Sequence, residues 1–243
     1  MNHPLGTSRN VVKERYALFT PAGFVPSVLP GWTNCTPFVL ISQGLGANFV
    51  QTLIALDRNG RGEGATGESE IFAFVIEGKC AVNKRQLGAG GFAYLPPGSD
   101  YEFRSAAKNT RLLIFQKRYE SLANTAAPEF LTGDEAQVEA RPFLGDPHAR
   151  LKTLLPDSLA FDMAVNIFTY DPGAALPFVE THIMEHGLLM LAGAGVYRLD
   201  ADWNPVQTGD VIWMAPYCPQ WFVALGTEPA RYIYYKDVNR SPL

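Results

Sequence analysis

Short apolar runs rich in Val, Ile, Phe and Tyr recur along the whole chain, broken by Gly, Pro, Asn and Asp. Stretches with the 3.6-residue period of an amphipathic helix are scarce. This pattern predicts an antiparallel, all-β chain of sandwich or barrel type. In the first half the runs predict strands at 37–42, 48–57, 70–77, 91–95, 101–104 and 111–118. In the second half they predict strands at 162–170, 187–191, 195–199, 210–214, 220–224 and 231–236. One short helix is expected near 132–139.

The two sets of strands match each other. Phe74-Val-Ile-Glu-Gly78 parallels Leu189-Met-Leu-Ala-Gly193 at a separation of 115 residues. Gly90-Gly-Phe-Ala-Tyr-Leu-Pro-Pro97 parallels Gly209-Asp-Val-Ile-Trp-Met-Ala-Pro216 at 119, and Leu113-Ile-Phe-Gln-Lys117 parallels Tyr232-Ile-Tyr-Tyr-Lys236 at 119. A near-constant offset over three motifs indicates a duplicated domain. The expected organisation is an N-terminal arm over 1–30, a first barrel over 31–121, a linker over 122–148 and a second barrel over 149–243.

Composition narrows the function. At 243 residues either half is long enough to bury a core. A net charge of -4, with no Lys/Arg run, gives no electrostatic reason to expect nucleic acid or a membrane surface as partner. The N-terminus lacks the apolar core of a signal peptide, and no apolar run reaches the length of a membrane span. Cys35, Cys80 and Cys218 are widely spaced and odd in number, which suits thiols in a reducing compartment and predicts a cytoplasmic protein. Partners are expected to be small molecules or further copies of the chain.

The candidate chemistry lies between residues 180 and 193. Of only four histidines, His182 and His186 stand four apart, with Glu180 two residues ahead of the first. On a strand Glu180 and His182 share a face. His186 can join them if the chain turns and re-enters the sheet. One carboxylate and two imidazoles suit a divalent ion such as Mn(II), Fe(II), Ni(II) or Zn(II). Aligned on Gly78 and Gly193, these positions become Ala65, Gly67 and Ile71 in the first half, which therefore has no ligand set. Its only histidine, His3, lies outside the repeat.

The spacing Glu180-x-His182-x3-His186-x6-Gly193 resembles the first motif of the cupins, double-stranded β-helix (jelly-roll) barrels. Gly209, Pro216 and Gln220 resemble the second, with the proline one residue late and Gln where His is common. The chain thus resembles a bicupin. The set Glu-Thr-His-x3-His with Gln220 and the ending Tyr232-Ile-Tyr-Tyr-Lys236-Asp237-x-Asn239-Arg240 looks like the (S)-ureidoglycine aminohydrolases of purine (allantoin) breakdown. Phe19-Thr-Pro-x-Gly23, Leu29-Pro-Gly-Trp-Thr-Asn-Cys35 and Phe161-Asp-Met163 extend the resemblance over nearly the whole chain.

The resemblance implies a manganese enzyme that turns (S)-2-ureidoglycine and water into (S)-ureidoglycolate and ammonia. Carried over residue by residue, Glu180, His182, His186 and Gln220 would hold Mn(II), with Glu180 and Gln220 also touching substrate. Tyr232 and Lys236, joined by Tyr197, would bind substrate, and Glu180 and Lys236 would be the catalytic pair. A single carboxylate leaves such a site at about +1, favourable for an anion. Homo-oligomers are expected, as cupins commonly form them.

The residues alone leave other readings open. Lys236 can be an ordinary strand-end lysine, since Lys117 stands at the matching place of the other half. Of Tyr232 and Tyr234, alternating on a strand, one is expected to face inward. Tyr197 and Glu185 are candidates for a general base by proximity in sequence only. A metal-dependent cupin dioxygenase or isomerase, and a non-catalytic small-molecule-binding bicupin, are the rival functions.

Overall fold

A computed structural model describes residues 8–105 and 107–240; His3 lies outside them. The chain is all-β, and its contacts divide it into two units. Of the described residues, one unit holds those within 25–139 and 152–164 and those from 238 on, and the other holds those up to 24 and those within 140–151 and 165–237.

The first unit is built on one extended sheet. Phe49–Ala65, a strand of 17 residues, pairs with Trp32–Ile41 along one edge and with Thr110–Arg118 along the other. Thr110–Arg118 pairs in turn with Ser69–Glu77, which pairs with Gly91–Leu95. The far end of the long strand pairs with Asp100–Arg104, and that strand with Lys79–Val82. The enclosed face is aliphatic: Ile54, Leu56, Ile71, Val75, Leu95, Leu112 and Ile114 form one buried cluster. Closing a sheet on such a face removes its edges and buries the alternating apolar positions together.

The second unit repeats these ladders. His186–Ala192 pairs with Val211–Met214 on one side and Ala230–Asp237 on the other. Ala194–Leu199 lies between Asp202–Gln207 and Gln220–Leu225 in a separate three-stranded sheet. The arm contributes here: Tyr16–Phe19 pairs with Val211–Met214 and extends the larger sheet. Arg9 holds the buried carboxylate of Asp210 with two hydrogen bonds, at 2.8 and 2.9 Å.

The registers of the two units match each other. Leu113 faces Phe74 in one unit and Ile233 faces Leu189 in the other, each ladder carrying a β-bulge one step further on. Gly78 and Gly193 stand at matching corners with φ of 81° and 72°. A Cβ there would lie 2.8 Å from the Cα of Thr110 and 2.7 Å from that of Ala230, so close strand approach as well as backbone angle demands glycine.

Two expectations change. The stretch expected to be helical forms a strand, Leu131–Asp134, followed by a 3-10 turn, Glu135–Gln137. Gly133 lies against the ring of Phe92 on the partner strand, where a Cβ would come within 2.3 Å, and the Asp134 side chain accepts from Ala136 N–H. That pairing and cap hold the chain extended where a short helix was expected. The registers also match Lys236, opposite His186, with Gln116, opposite Ile71, rather than with Lys117. Lys117 points to the other side of its strand and forms a buried ion pair with Asp162 at 2.6 Å.

Candidate functional site

The site is built at one end of the second unit's ladders. Glu180 and Gln220 form an isolated bridge, with Glu180 N–H donating to Gln220 O at 2.8 Å and Gln220 N–H to Glu180 O at 2.9 Å. The regular strand expected through Glu180 and His182 is absent. After the bridge the chain is irregular, and Tyr217 N–H holds the His182 carbonyl at 2.7 Å. His186 then opens the strand His186–Ala192 and faces Lys236 across the ladder, so the chain re-enters the sheet at that residue.

This path brings three side chains to one point. His182 Nε2 and His186 Nε2 are 3.1 Å apart, and Gln220 Nε2 lies 2.9 Å from the first and 3.3 Å from the second. His182 Nδ1 is 3.2 Å from the Met184 carbonyl, which accepts its proton and leaves the Nε2 lone pair turned to the centre. Burial lowers the affinity of both imidazoles for a proton, and the charge of Lys236 adds to it. His186 is shifted well below the ordinary histidine value, His182 contributing to the effect.

Glu180 lines the same cavity, where burial raises its pKa and Lys236 opposes the rise. Among the described residues no group of three or more His, Cys, Asp and Glu side chains is assembled as a ligand cluster. The convergent group is therefore His182, His186 and the amide of Gln220, with Glu180 on the adjoining wall.

A cavity of about 210 Å³ opens beside these groups. That is smaller than the roughly 300–1,000 Å³ of sites for drug-sized ligands and suits a small metabolite. Lys236, Tyr197 and Tyr232 all line it. Tyr234 lines it too, correcting the expectation that only one of the two tyrosines faces inward: residues i and i+2 of a strand share a face. Glu185 stands on the opposite face. Its carboxylate is buried, accepts from Trp213 Nε1 at 3.3 Å and is no part of the cavity wall, so sequence proximity misplaced it as a candidate base.

Sequence reasoning also missed contributors. Phe143 lines the cavity from the expected linker, and Leu151 from the start of the expected second barrel, where no strand was predicted. Their strands, Arg141–Phe143 and Asp146–Thr153, are joined by a turn at Leu144 and Gly145 with φ of 51° and 88°. Phe168 lines it from Met163–Tyr170, a strand predicted without its inward face being assigned. Buried Asn166 on the same strand stands near enough to Tyr234 to oppose the rise of its pKa by burial, and a lone amide in an apolar strand was the available signal.

Comparison with known proteins places this geometry. The cupin domain family matches residues 166–235. The chain is 38% identical to the (S)-ureidoglycine aminohydrolase of Arabidopsis thaliana over 98% of its own length and 80% of that protein. Against the (S)-ureidoglycine aminohydrolase of Escherichia coli K12 the identity is again 38%, over 96% and 93% of the two chains. This chain belongs to the (S)-ureidoglycine aminohydrolase family.

Solved structures match over nearly the whole chain. The E. coli protein Ylba superposes with a TM-score of 0.88 at 35% identity, covering 98% of each chain. A putative glyoxylate-induced protein of Pseudomonas aeruginosa gives 0.87 at 34%, covering 100% and 95%. Oxalate decarboxylase of Bacillus subtilis, at 12% identity and a TM-score of 0.70, shares the fold alone.

Proposed function

We propose that this member of the family hydrolyses (S)-2-ureidoglycine to (S)-ureidoglycolate and ammonia in the second barrel. Glu180, His182, His186 and Gln220 would hold a divalent cation there. The observation that carries the reading is the convergence of two neutral imidazole nitrogens and an amide beside Lys236 in a small cavity.

The residues fit a cation. His182 turns its Nε2 lone pair to the centre, and His186 in its neutral Nδ1–H tautomer adds a second lone pair 3.1 Å away, a pair of neutral nitrogen donors that a cation would bridge. A half turn of the Gln220 amide presents its carbonyl oxygen to the same point. Glu180, fixed opposite Gln220 by backbone hydrogen bonds, is the carboxylate at hand. Nitrogen and oxygen ligands of this kind suit several divalent ions, and the family resemblance favours Mn(II). When bound, such an ion supplies a Lewis acid and lowers the pKa of a water molecule.

The chain's own residues account for substrate selection. Lys236, half-buried and opposite His186, offers a positive charge to the substrate carboxylate. Tyr232 and Tyr197 present buried hydroxyls to the ureido group, and Phe168, Leu188 and Met214 exclude water from the remaining wall. The reacting carbon carries both the amino and the ureido nitrogen. The ureido lone pair expels the protonated amino group as ammonia, and water adds its oxygen to the resulting C=N carbon. Lys236 at one end and the Glu180–Gln220 wall at the other hold that carbon with one face open, so a single enantiomer is expected.

The proposed setting is cytoplasmic, supported by three free, separated cysteines. Among the described residues no helix is long and apolar enough to cross a membrane. Self-association is proposed as well, on the exposed apolar side chains Val28, Phe178 and Trp203. The deciding experiment strips the protein of metal, reloads it with Mn(II) and follows ammonia release from fresh ureidoglycine with chiral analysis of the product. Mn(II)-dependent formation of (S)-ureidoglycolate is expected. Racemic product at the spontaneous rate, with the ion bound, would redirect attention to oxygen-dependent or isomerase chemistry.

A further inference from the structure

The ladder that sets His186 opposite Lys236 ends at that pair, and Asp237 lies one residue beyond it. There the half-buried Asp237 carboxylate accepts the Glu185 N–H at 2.6 Å. The carbonyl of the same peptide unit, that of Met184, accepts from His182 Nδ1 at 3.2 Å. One peptide plane is thus held at both ends, by a carboxylate on its N–H and by an imidazole on its C=O. The register that matches Lys236 with Gln116 puts Lys117 at the place of Asp237 in the first barrel. A lysine side chain offers donors only, so the barrel without a ligand set has no acceptor at this place.

The orientation of this peptide decides which ring nitrogen of His182 carries the proton. A carbonyl facing Nδ1 requires Nδ1–H and leaves Nε2 bare, and Gln220 Nε2, which can only donate, meets that lone pair at 2.9 Å. Turned half over, the same peptide would present the Glu185 N–H to Nδ1. Nδ1 would then accept, and the proton would move to Nε2, where it blocks a cation. A carboxylate on the N–H favours the first orientation in two ways. It anchors the N–H on the side away from the ring by a charge-assisted bond, and it polarises the amide so that the carbonyl becomes a stronger acceptor.

We infer that Asp237 is a positioning residue that, through the Met184–Glu185 peptide, holds His182 in its Nδ1–H tautomer with the Nε2 lone pair turned to His186 and Gln220. Its effect on ion binding rests on the cation-site reading above, whereas the tautomer itself does not.

The test reads the His182 ring nitrogens in the full chain, stripped of metal, by long-range proton–nitrogen correlation NMR, with His182→Gln supplying the assignment. Mn(II) affinity is then read from the EPR signal of free ion during titration. Wild type is expected to show a protonated Nδ1 and a bare Nε2. Asp237→Leu removes the acceptor and fills its space. It is expected to populate the Nε2–H form of His182, to leave His186 in its own tautomer and to weaken Mn(II) binding about tenfold or more. Asp237→Asn, which keeps an oxygen acceptor without the charge, is expected to retain the Nδ1–H form and to bind within about fivefold of wild type. An Nε2-protonated His182 in wild type, or the same tautomer in Asp237→Leu as in wild type, overturns the inference. A change of tautomer at both histidines also overturns it, in favour of general loosening. If Asp237→Leu loses the wild-type tautomer while neither protein retains Mn(II), the positioning of His182 stands and the cation-site reading falls. Should Asp237→Leu fail to fold, Asp237→Ala removes the same acceptor and is read in the same way.

Discussion

At one end of its inner strand pair the second barrel sets His186 opposite Lys236, whereas the first sets Ile71 opposite Gln116. The next matched positions inward are Tyr234 and Tyr232 in the second barrel, Ile114 and Leu112 in the first. The bridge that fixes Glu180 to Gln220 has its counterpart where Ala65 pairs with Asp100. The backbone design is therefore kept while a filled aliphatic interior is exchanged for a cavity with hydroxyls, imidazoles and an amine. The difference teaches that the ligand positions are not needed for closure of the barrel, since the same ladder closes with Ile and Ala in those places. It also shows where the first unit spends its polar residues. Lys117, Asp162, Glu70 and Tyr94 form a buried network away from the aliphatic interior, with Tyr94 donating to Glu70 at 2.6 Å.

The strongest way to break the comparison is to write the first barrel's residues into the second. His186→Ile and Glu180→Ala should each reduce ammonia release to the spontaneous rate and abolish stoichiometric Mn(II) retention, with thermal unfolding and near-UV circular dichroism close to wild type. Unfolding of either variant would make the residues structural and remove the contrast. Lys236→Gln, which installs the residue found at Gln116, should cost roughly a hundredfold in kcat/KM, carried chiefly by KM. A loss carried by kcat alone would assign Lys236 to the chemical step instead of the carboxylate.

Much of this contrast was legible in the sequence. The core strands of both barrels follow from apolar runs and turn residues, and the offset between Gly78 and Gly193 correctly gave Ile71 as the counterpart of His186. What failed was the last strand, where Lys117 and Lys236 look equivalent in a letter alignment. A shift of one residue exchanges the faces of a strand, and only the ladder shows that Gln116 takes the place of Lys236. The strands Arg141–Phe143 and Asp146–Thr153 were hidden because their apolar residues are few and their pairing is set by the turn between them. The contact between the Tyr170 and Tyr232 hydroxyls was also out of reach, since residues 62 apart leave no periodic trace.

The buried ion pair of the first barrel provides the next test. Lys117→Met leaves Asp162 as an uncompensated buried carboxylate and should cost about 3–5 kcal/mol of stability, a shift on the order of 10 °C in the melting temperature. Mn(II) affinity and kcat/KM should stay within about twofold of wild type at temperatures where the variant is folded. A loss of ion binding without a loss of stability would mean that the first barrel's network takes part in the site, and the division between structural and chemical halves would fall.

Glu70 gives the most specific effect, one that appears only as a slope against pH. Burial, and then the neighbouring Asp162, raise its pKa to about 9, against 4.5 for the free group, while Tyr94 and Lys117 act in the other direction. At neutral pH the folded chain therefore holds a proton on Glu70 that the unfolded chain releases. Below pH 4.5 both states carry it and stability is unaffected. Between pH 4.5 and 9 the unfolded state gains by ionising, so this group makes stability fall as pH rises, by at most about 1.4 kcal/mol per pH unit. Glu70→Gln keeps a neutral, hydrogen-bonding side chain at the same place and should flatten that slope. The check is the urea midpoint of both proteins from pH 5.5 to 8.5: wild type should lose stability across the range relative to the variant, and parallel curves would show that Glu70 is ionised in the folded chain.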